Sequence, residues 1–292
     1  MNVMYFDLET TAPPGGDARD AEQAIPVQAA LGYYNMDEDK GEPLTGFPLL
    51  INPGCPISEE STHIHGITDA MVTHATDADI AINAIAGHLT DAVNNGVPIV
   101  GMNLAYDFTV LDRRLRTHGL TTLGDRASDA RIGDPAPGRT HSPLMLVLDA
   151  LVIDRGVDRY RKGPRKLTDL CQRYGIELTN AHDADADALA SARVLGVLRD
   201  IARATQQMQN TMAAFDRKIF LRVPAHPAGH RPELALTLTT PAEFANLATM
   251  SADDMQTAQA RWYTDFADFI TSGNRPHTDV WPVRQLADAP SS

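Results

Sequence analysis

The residues best equipped for chemistry are acids that stand where the chain otherwise places apolar side chains. Val3, Met4, Tyr5 and Phe6 run straight into Asp7, Leu8 and Glu9. On a strand, residues two apart face the same side, so Asp7 and Glu9 continue the face begun by Val3 and Tyr5. Two carboxylates leaving a buried strand repel each other, and desolvation adds to the cost. A divalent cation relieves both, although an Asp-X-Glu pair alone is equally the solvated exit of a strand. In YDFTVLDRRLRTHG, a helical wheel places Asp107 on the apolar side with Phe108, Leu111 and Leu115. An acid favoured by the helix dipole in the first turn is the ordinary alternative.

A third source is the run NAHDADADALASARVL. Asp187 falls inside the stripe of Ala190, Val194, Val197 and Leu198, whereas Asp185 falls roughly half a turn away beside Ala192 and Arg199. Asp183 stands at the helix start, suited to a cap. His182 precedes the helix, where a loop can aim its imidazole into the same space or leave it at the surface. Each site is ambiguous alone. Together, Asp7, Glu9, Asp107, His182 and Asp187 offer the oxygen-rich donor set of Mg²⁺ or Mn²⁺, not that of zinc.

The elements that position them follow from periodicity. Residues 2–8, 27–37 and 43–53 read as strands joined by short turns, an antiparallel meander. The pattern then changes to a helix over 77–95, carrying Ile80, Ile82, Ile85, Leu89 and Val93, a buried strand over 97–103 and a helix over 106–119. Strand then helix is expected over 142–155, a short helix over 165–175 and a long one over 183–209. This is an α/β mixed sheet, meander first and parallel strands after, flanked by helices. Two strands over 218–240 and helices over 241–249 and 251–273 form a small α+β extension, so the expected division is 1–205 and 206–292.

Composition narrows the class. At 292 residues and 43% hydrophobic content the chain has ample material for a core. No apolar run approaches a membrane span, and the first residues lack a basic segment before their apolar stretch, so neither a span nor a signal peptide is expected. Cys55 and Cys171 make no disulfide framework and no zinc spacing, which points to a reducing cytoplasm. A formal net charge of −13 argues against gripping long nucleic acid by the whole surface, but not against taking a strand end through metal ions and a local basic stretch. DRYRKGPRK, with Arg159, Arg161, Lys162, Arg165 and Lys166, is such a stretch or an ordinary solvated loop.

With these residues in place, the sequence resembles the DEDDh 3′→5′ exonucleases, a family with a ribonuclease H-like fold. FDLETT is similar to the first motif, VGMNLAYDFTVL to the second and AHDADADA to the third, with HIHGIT and KLTDLCQRYGI agreeing in order and spacing. The resemblance covers roughly residues 1–205. It departs at Met102, where the family often has histidine. It departs again at TTAPPGGDARD, where a glycine and an apolar wedge against the terminal base are usual.

The resemblance implies two divalent cations, Mg²⁺ or Mn²⁺. Asp7 would bridge them, Glu9 and Asp187 would complete the first site and Asp107 would support the second. His182 would take the proton of the attacking water. Thr10 and Asn103 would contact the substrate, and Arg161, Lys162, Arg165 and Lys166 would steer its backbone. The implied activity is removal of nucleoside 5′-monophosphates from the 3′ end of DNA, preferably single-stranded. Two alternatives are an exoribonuclease acting on short RNA or RNA tails, and an inactive nuclease-fold module bound to a polymerase. The expected partners are a nucleic-acid 3′ end and either a DNA polymerase or a second copy, with no membrane.

Overall fold

The computed structural model describes residues 1–36, 45–126, 146–178, 183–210, 218–226 and 231–271. His182 lies outside these residues, as do the turn after residue 36 and residues 142–145 of the expected strand.

The chain opens with the expected meander, β1 (Asn2–Thr11), β2 (Ile25–Asn35) and β3 (Thr45–Asn52). Two short helices not expected from the sequence follow, α1 (Glu59–His65) and α2 (Asp69–Val72), and then β4 (Thr76–Asp77). Next come α3 (Ala78–Asn94), β5 (Ile99–Gly101), α4 (Leu104–Thr117), α5 (Leu123–Arg126), β6 (Val147–Asp149), α6 (Ala150–Val157), α7 (Leu167–Tyr174) and α8 (Ala184–Gln209). The extension holds β7 (Ile219–Val223), β8 (Leu234–Leu238), α9 (Pro241–Leu247) and α10 (Ala252–Thr271).

The main sheet has the order β4-β3-β2-β1-β5-β6. β1 pairs antiparallel with β2 and β2 with β3, while β5 and β6 run parallel to β1. The mixed α/β fold is therefore the expected one, a meander continued by parallel strands. β1 lies between two partners and feeds both layers. Val3 and Tyr5 join the core under α6, α7 and α8, while Met4, Phe6 and Leu8 join the core under α3 and α4. The i, i+2 rule thus puts Asp7 on the α8 side. α3 buries Ile82, Ile85 and Leu89, but Ile80 is exposed, because it lies off the stripe those three define.

The extension shares a core with the sheet. Ile219, Leu221, Leu236, Phe244, Met255 and Trp262 belong to the same buried cluster as Val3 and Tyr5. At α6, a methyl on Gly156 would fall inside the indole of Trp262, so the glycine is what allows α10 to lie flush there.

A buried ion network ties the same region together. Asp154 is fully buried and takes Arg161 at 2.7 Å, Arg165 and the Tyr174 hydroxyl. Asp158, also buried, takes Arg173 at 3.3 Å and the backbone N–H of Thr239 at 2.9 Å. This corrects the expectation that Arg161 and Arg165 face a substrate. Their side chains are about nine-tenths buried and committed to Asp154, so only Lys162 and Lys166 of the four stand exposed.

Breaking a buried pair by removing one partner costs about 3–5 kcal/mol, because the other charge stays buried. Asp154→Ala is expected to destabilise the full chain by that amount in urea titration. Gly156→Ala is expected to cost about 1–3 kcal/mol by overpacking against Trp262. A loss under about 0.5 kcal/mol in Asp154→Ala would show that the network contributes no net stability.

Candidate active site

β1 carries Asp7 and Glu9 to the end of the sheet, where its register against β2 shifts between Glu9 and Thr10. The extra residue is Val27 of β2, opposite the step just past the acids, and pairing resumes at Thr10 with Pro26 and Thr11 with Ile25. α4 enters from the other layer. It starts two residues earlier than its apolar periodicity suggests, after Asn103 in a left-handed conformation with φ 62°. That turn aims the first helical turn at β1. Asp107 is 3% exposed, and its Oδ1 accepts the backbone N–H of Leu8 at 3.1 Å.

α8 supplies the third element and crosses β1 and β2. Asp183 caps it, its Oδ1 accepting the N–H groups of Asp185 at 3.1 Å and Ala186 at 3.3 Å. Asp185 does not point away from the sheet as the wheel suggests. Its Oδ1 accepts the hydroxyl of buried Tyr5 at 3.1 Å and lies over Gly46 of β3. The first turn of α8 spreads across the sheet, so an acid off the main stripe still reaches a tyrosine there.

The electrostatics record how closely the four acids gather. Burial raises the Asp7 carboxyl well above its usual range, and Asp107, Glu9 and Asp187 raise it further. Glu9 is pushed up to about 8, first by burial and then by Asp187, Asp107 and Asp183. Burial likewise raises Asp107, with Asp149 adding to it and the Leu8 N–H opposing. Asp107, Glu9 and Asp187, from three elements, thus lie near enough to act on Asp7; Asp107 is buried and the other three are half-buried. Among the described residues, no three His, Cys, Asp or Glu side chains are already arranged to hold one ion. The donor set nevertheless fits a hard divalent cation in its chemistry. It is all oxygen and anionic, and cation binding would offset its mutual repulsion.

Thr10 follows Glu9 on β1, and Asn103 stands just before α4 with its N–H on Asp149. The Thr10 hydroxyl meets the Tyr106 hydroxyl at 2.8 Å, and Tyr106 also donates to the carbonyl of Ala18. Burial pushes the Tyr106 phenol up to about 12. The departure from the family pattern at residues 10–20 is therefore a largely exposed wall, anchored to α4 through Thr10 and Ala18. Arg113 grips Glu22 through Nε at 2.6 Å and Nη2 at 2.9 Å, and Arg114 donates to the Glu22 carbonyl at 2.9 Å. Lys162 and Lys166 lie in the segment after α6. That helix starts at the site end of β6 and runs about 12 Å away from it, at 1.5 Å per residue.

Two neighbours of the acids are not singled out by sequence reasoning. Tyr106 reads only as a helix start. Asp149 ends an apolar run, LMLVLD, just as Asp7 ends MYFD, and that parallel is the available signal. Asp149 is 1% exposed, and its Oδ1 accepts the N–H groups of Asn103 at 3.1 Å and Leu151 at 2.9 Å.

Residues 4–195 match the RNase_T family model, described as an exonuclease. The PolC-type DNA polymerase III of Lacticaseibacillus paracasei is 29% identical over 195 residues, which are 67% of this chain and 11% of that protein. The Streptococcus pneumoniae enzyme of the same name is 27% identical over 204 residues, 68% of this chain and 11% of that one. A DNA polymerase III subunit epsilon-like protein of Rhodobacter capsulatus is 36% identical over 116 residues, 39% of this chain and 14% of that one. The chain thus spans only about a ninth of the length of the PolC-type relatives. Among solved structures, the zinc-bound E. coli ExoI–ssDNA complex aligns with a TM-score of 0.48 at 17% identity, over 80% of this chain and 51% of that one. Among the described residues no helix is long and apolar enough to cross a membrane. With the matched span covering well over half of the sequence and containing the strand and helices that gather the four acids, the chain belongs to the RNase_T exonuclease family, the DEDDh 3′→5′ exonucleases that its motifs resemble.

Proposed function

We propose that this chain removes nucleoside 5′-monophosphates from the 3′ end of DNA, preferring a single strand. The observation that carries the reading is the bond from the Leu8 N–H to Asp107, which brings the first turn of α4 against β1 between Asp7 and Glu9, with Asp107, Glu9 and Asp187 acting on the Asp7 carboxyl. Family membership supports the phosphodiester chemistry, and relatives that are DNA polymerases III favour DNA over RNA. The four carboxylates would hold two divalent cations, Mg²⁺ or Mn²⁺. Such ions supply an activated water and neutralise charge on the phosphate.

The chain's own groups do the rest. His182, just before α8, takes the proton of the attacking water, since an imidazole with an unperturbed pKa near 6.5 is matched to neutral pH. Thr10 and Asn103 orient the terminal nucleotide. Tyr106 fixes Thr10 by hydrogen bond and ties the 10–20 segment down at the Ala18 carbonyl. Lys162 and Lys166 attract the strand farther from its end. Residues 1–205 carry the chemistry in this reading and 206–292 support it.

Labelled single-stranded DNA, duplex DNA with a mismatched 3′ end, and RNA, each with Mg²⁺ or Mn²⁺, test the reading directly. The expected product is a ladder shortening from the 3′ end, fastest on single-stranded DNA and abolished by EDTA. Asp7→Ala and Asp187→Ala are each expected to lower turnover by roughly a thousandfold or more, the upper scale for removing one electrostatic stabiliser. Wild-type turnover in either would sink the assignment. His182→Ala is expected to lower turnover about 10²–10⁴-fold while Mn²⁺ binding by calorimetry is retained. Faster shortening of RNA than DNA would reassign the substrate. No shortening of any substrate would favour a binding module.

The raised carboxyls also fix a sign for stability. Glu9 keeps its proton in the folded chain up to about 8, against an ordinary value of 4.5. Between those values the native state binds more protons than the unfolded state, so stability falls as pH rises. In EDTA the Tm is expected to drop between about pH 5 and about pH 8, and Mn²⁺ is expected to restore most of the loss by favouring the ionised acids. A Tm that is flat in EDTA and indifferent to Mn²⁺ would contradict the site.

A further inference from the structure

β6 is the last strand of the sheet, so its outer edge exposes backbone groups that need partners. No strand among the described residues supplies them. α10 does so with two glutamines one turn apart. Gln256 Oε1 accepts the N–H of Val147 at 2.7 Å. Gln259, fully buried, accepts the N–H of Asp149 through Oε1 at 2.6 Å and donates through Nε2 to the carbonyls of Val147 and Met255, each at 3.1 Å. A side-chain amide has one acceptor and two donor hydrogens, so Gln259 uses both functions at one place on the edge.

Asp149 connects this edge to the start of α4. Its backbone is held by Gln259, and its carboxylate is spread over two helices. Oδ1 accepts Asn103, Leu151 and Val152, and Oδ2 accepts Leu104 at 2.8 Å. The Asn103 side chain makes no cap bond at the start of α4, so Asp149 serves as the cap that Asn103 does not provide. Asp107 lies in the turn so capped. We infer that α10 is a positioning element for the acid cluster, with Gln259 holding Asp149 and Asp149 holding the first turn of α4. The extension is then part of the working site, although none of its described residues belongs to the acid cluster itself. Gln259 and Asp149 are positioning residues, not catalytic ones.

Gln256 provides the internal control, because its bond to the same edge is made to Val147, two residues before Asp149. In the full chain, Gln259→Met is expected to speed amide exchange in the peptide spanning 103–108 by about tenfold, the loss of roughly one hydrogen bond. Exchange in β2 and β3 is expected to stay unchanged. Gln256→Met is expected to lower Tm comparably while leaving exchange over 103–108 within about twofold of wild type. Turnover on single-stranded DNA is expected to fall about tenfold in Gln259→Met with KM unchanged, and to hold in Gln256→Met.

The exchange arm stands without any assumption about activity, whereas the turnover arm rests on the nuclease reading. A wild-type chain without nuclease activity would therefore overturn that reading and leave the exchange comparison decisive here. Equal exchange over 103–108 in both variants, or faster exchange confined to α10 and β6, would overturn the inference and reduce the glutamines to an edge cover. Where Gln259→Met does not fold, Gln259→Asn draws the amide back by one methylene and carries the same comparison with the same two outcomes.

Discussion

Four carboxylates share the buried end of β1, and their mutual repulsion is the constraint that the surrounding structure must withstand. The acids cannot relax apart easily. β1 is held between β2 and β5, and its pairing with β2 continues past both acids to Thr11. α4 is capped by Asp149 and tied to β1 through the bond from Leu8 to Asp107. α8 is capped by Asp183 and packs across β1 and β2. A looser frame would let the acids separate into water and regain ordinary proton affinities. Burial first, and the neighbouring acids after it, raise the proton affinity of Asp7 and Glu9, while at Asp107 burial is joined by Asp149.

Buried acid is handled in three ways within one molecule, and the contrast gives the cluster its meaning. Asp154 and Asp158 are fully buried, but arginines, a tyrosine and a threonine satisfy them. Asp149 is satisfied by backbone N–H groups at the starts of two helices, where the dipole also favours negative charge. The cluster around Asp7 has neither solution in full: the forces that act on Asp7 are desolvation and three other acids. Chains that bury acids for stability pair them, as this one does around Asp154. No arginine or lysine is among the groups that act on Asp7, which sets it apart from Asp154.

Much of this is legible in the sequence, for reasons that differ by element. The i, i+2 rule pairs Asp7 with Glu9, and the helical wheel places Asp107 and Asp187 inward, because regular periodicities constrain side-chain direction. What the sequence hides depends on contacts far apart along the chain. Asp185 reaches Tyr5 across 180 positions, and a wheel centred on the apolar stripe does not register one tyrosine. Arg161 and Arg165 read as a basic surface because composition does not record that Asp154 waits beneath them. The short helices α1 and α2 carry too few residues for a period to emerge. Asp149 is visible as an acid ending an apolar run, but its role needs the far edge of the sheet and a helix more than a hundred positions later.

α4 is where these lines meet, and it links the departure from the family pattern at residues 10–20 to the acid it carries. Its start is fixed from the sheet edge by Asp149, and its first turn presents Asp107 to β1. The same turn sends Tyr106 to Thr10 and to Ala18, and further along Arg113 and Arg114 fasten Glu22. One helix therefore positions an acid and anchors the wall beside it. Changes in the wall's composition leave the acids in place, since α4 takes its position from Asp149 and the sheet rather than from the wall. Changes at the cap reach both, because tilting α4 moves Asp107 and Tyr106 together. The segment that departs from the family pattern is thus hung on a helix whose start is fixed from the sheet edge.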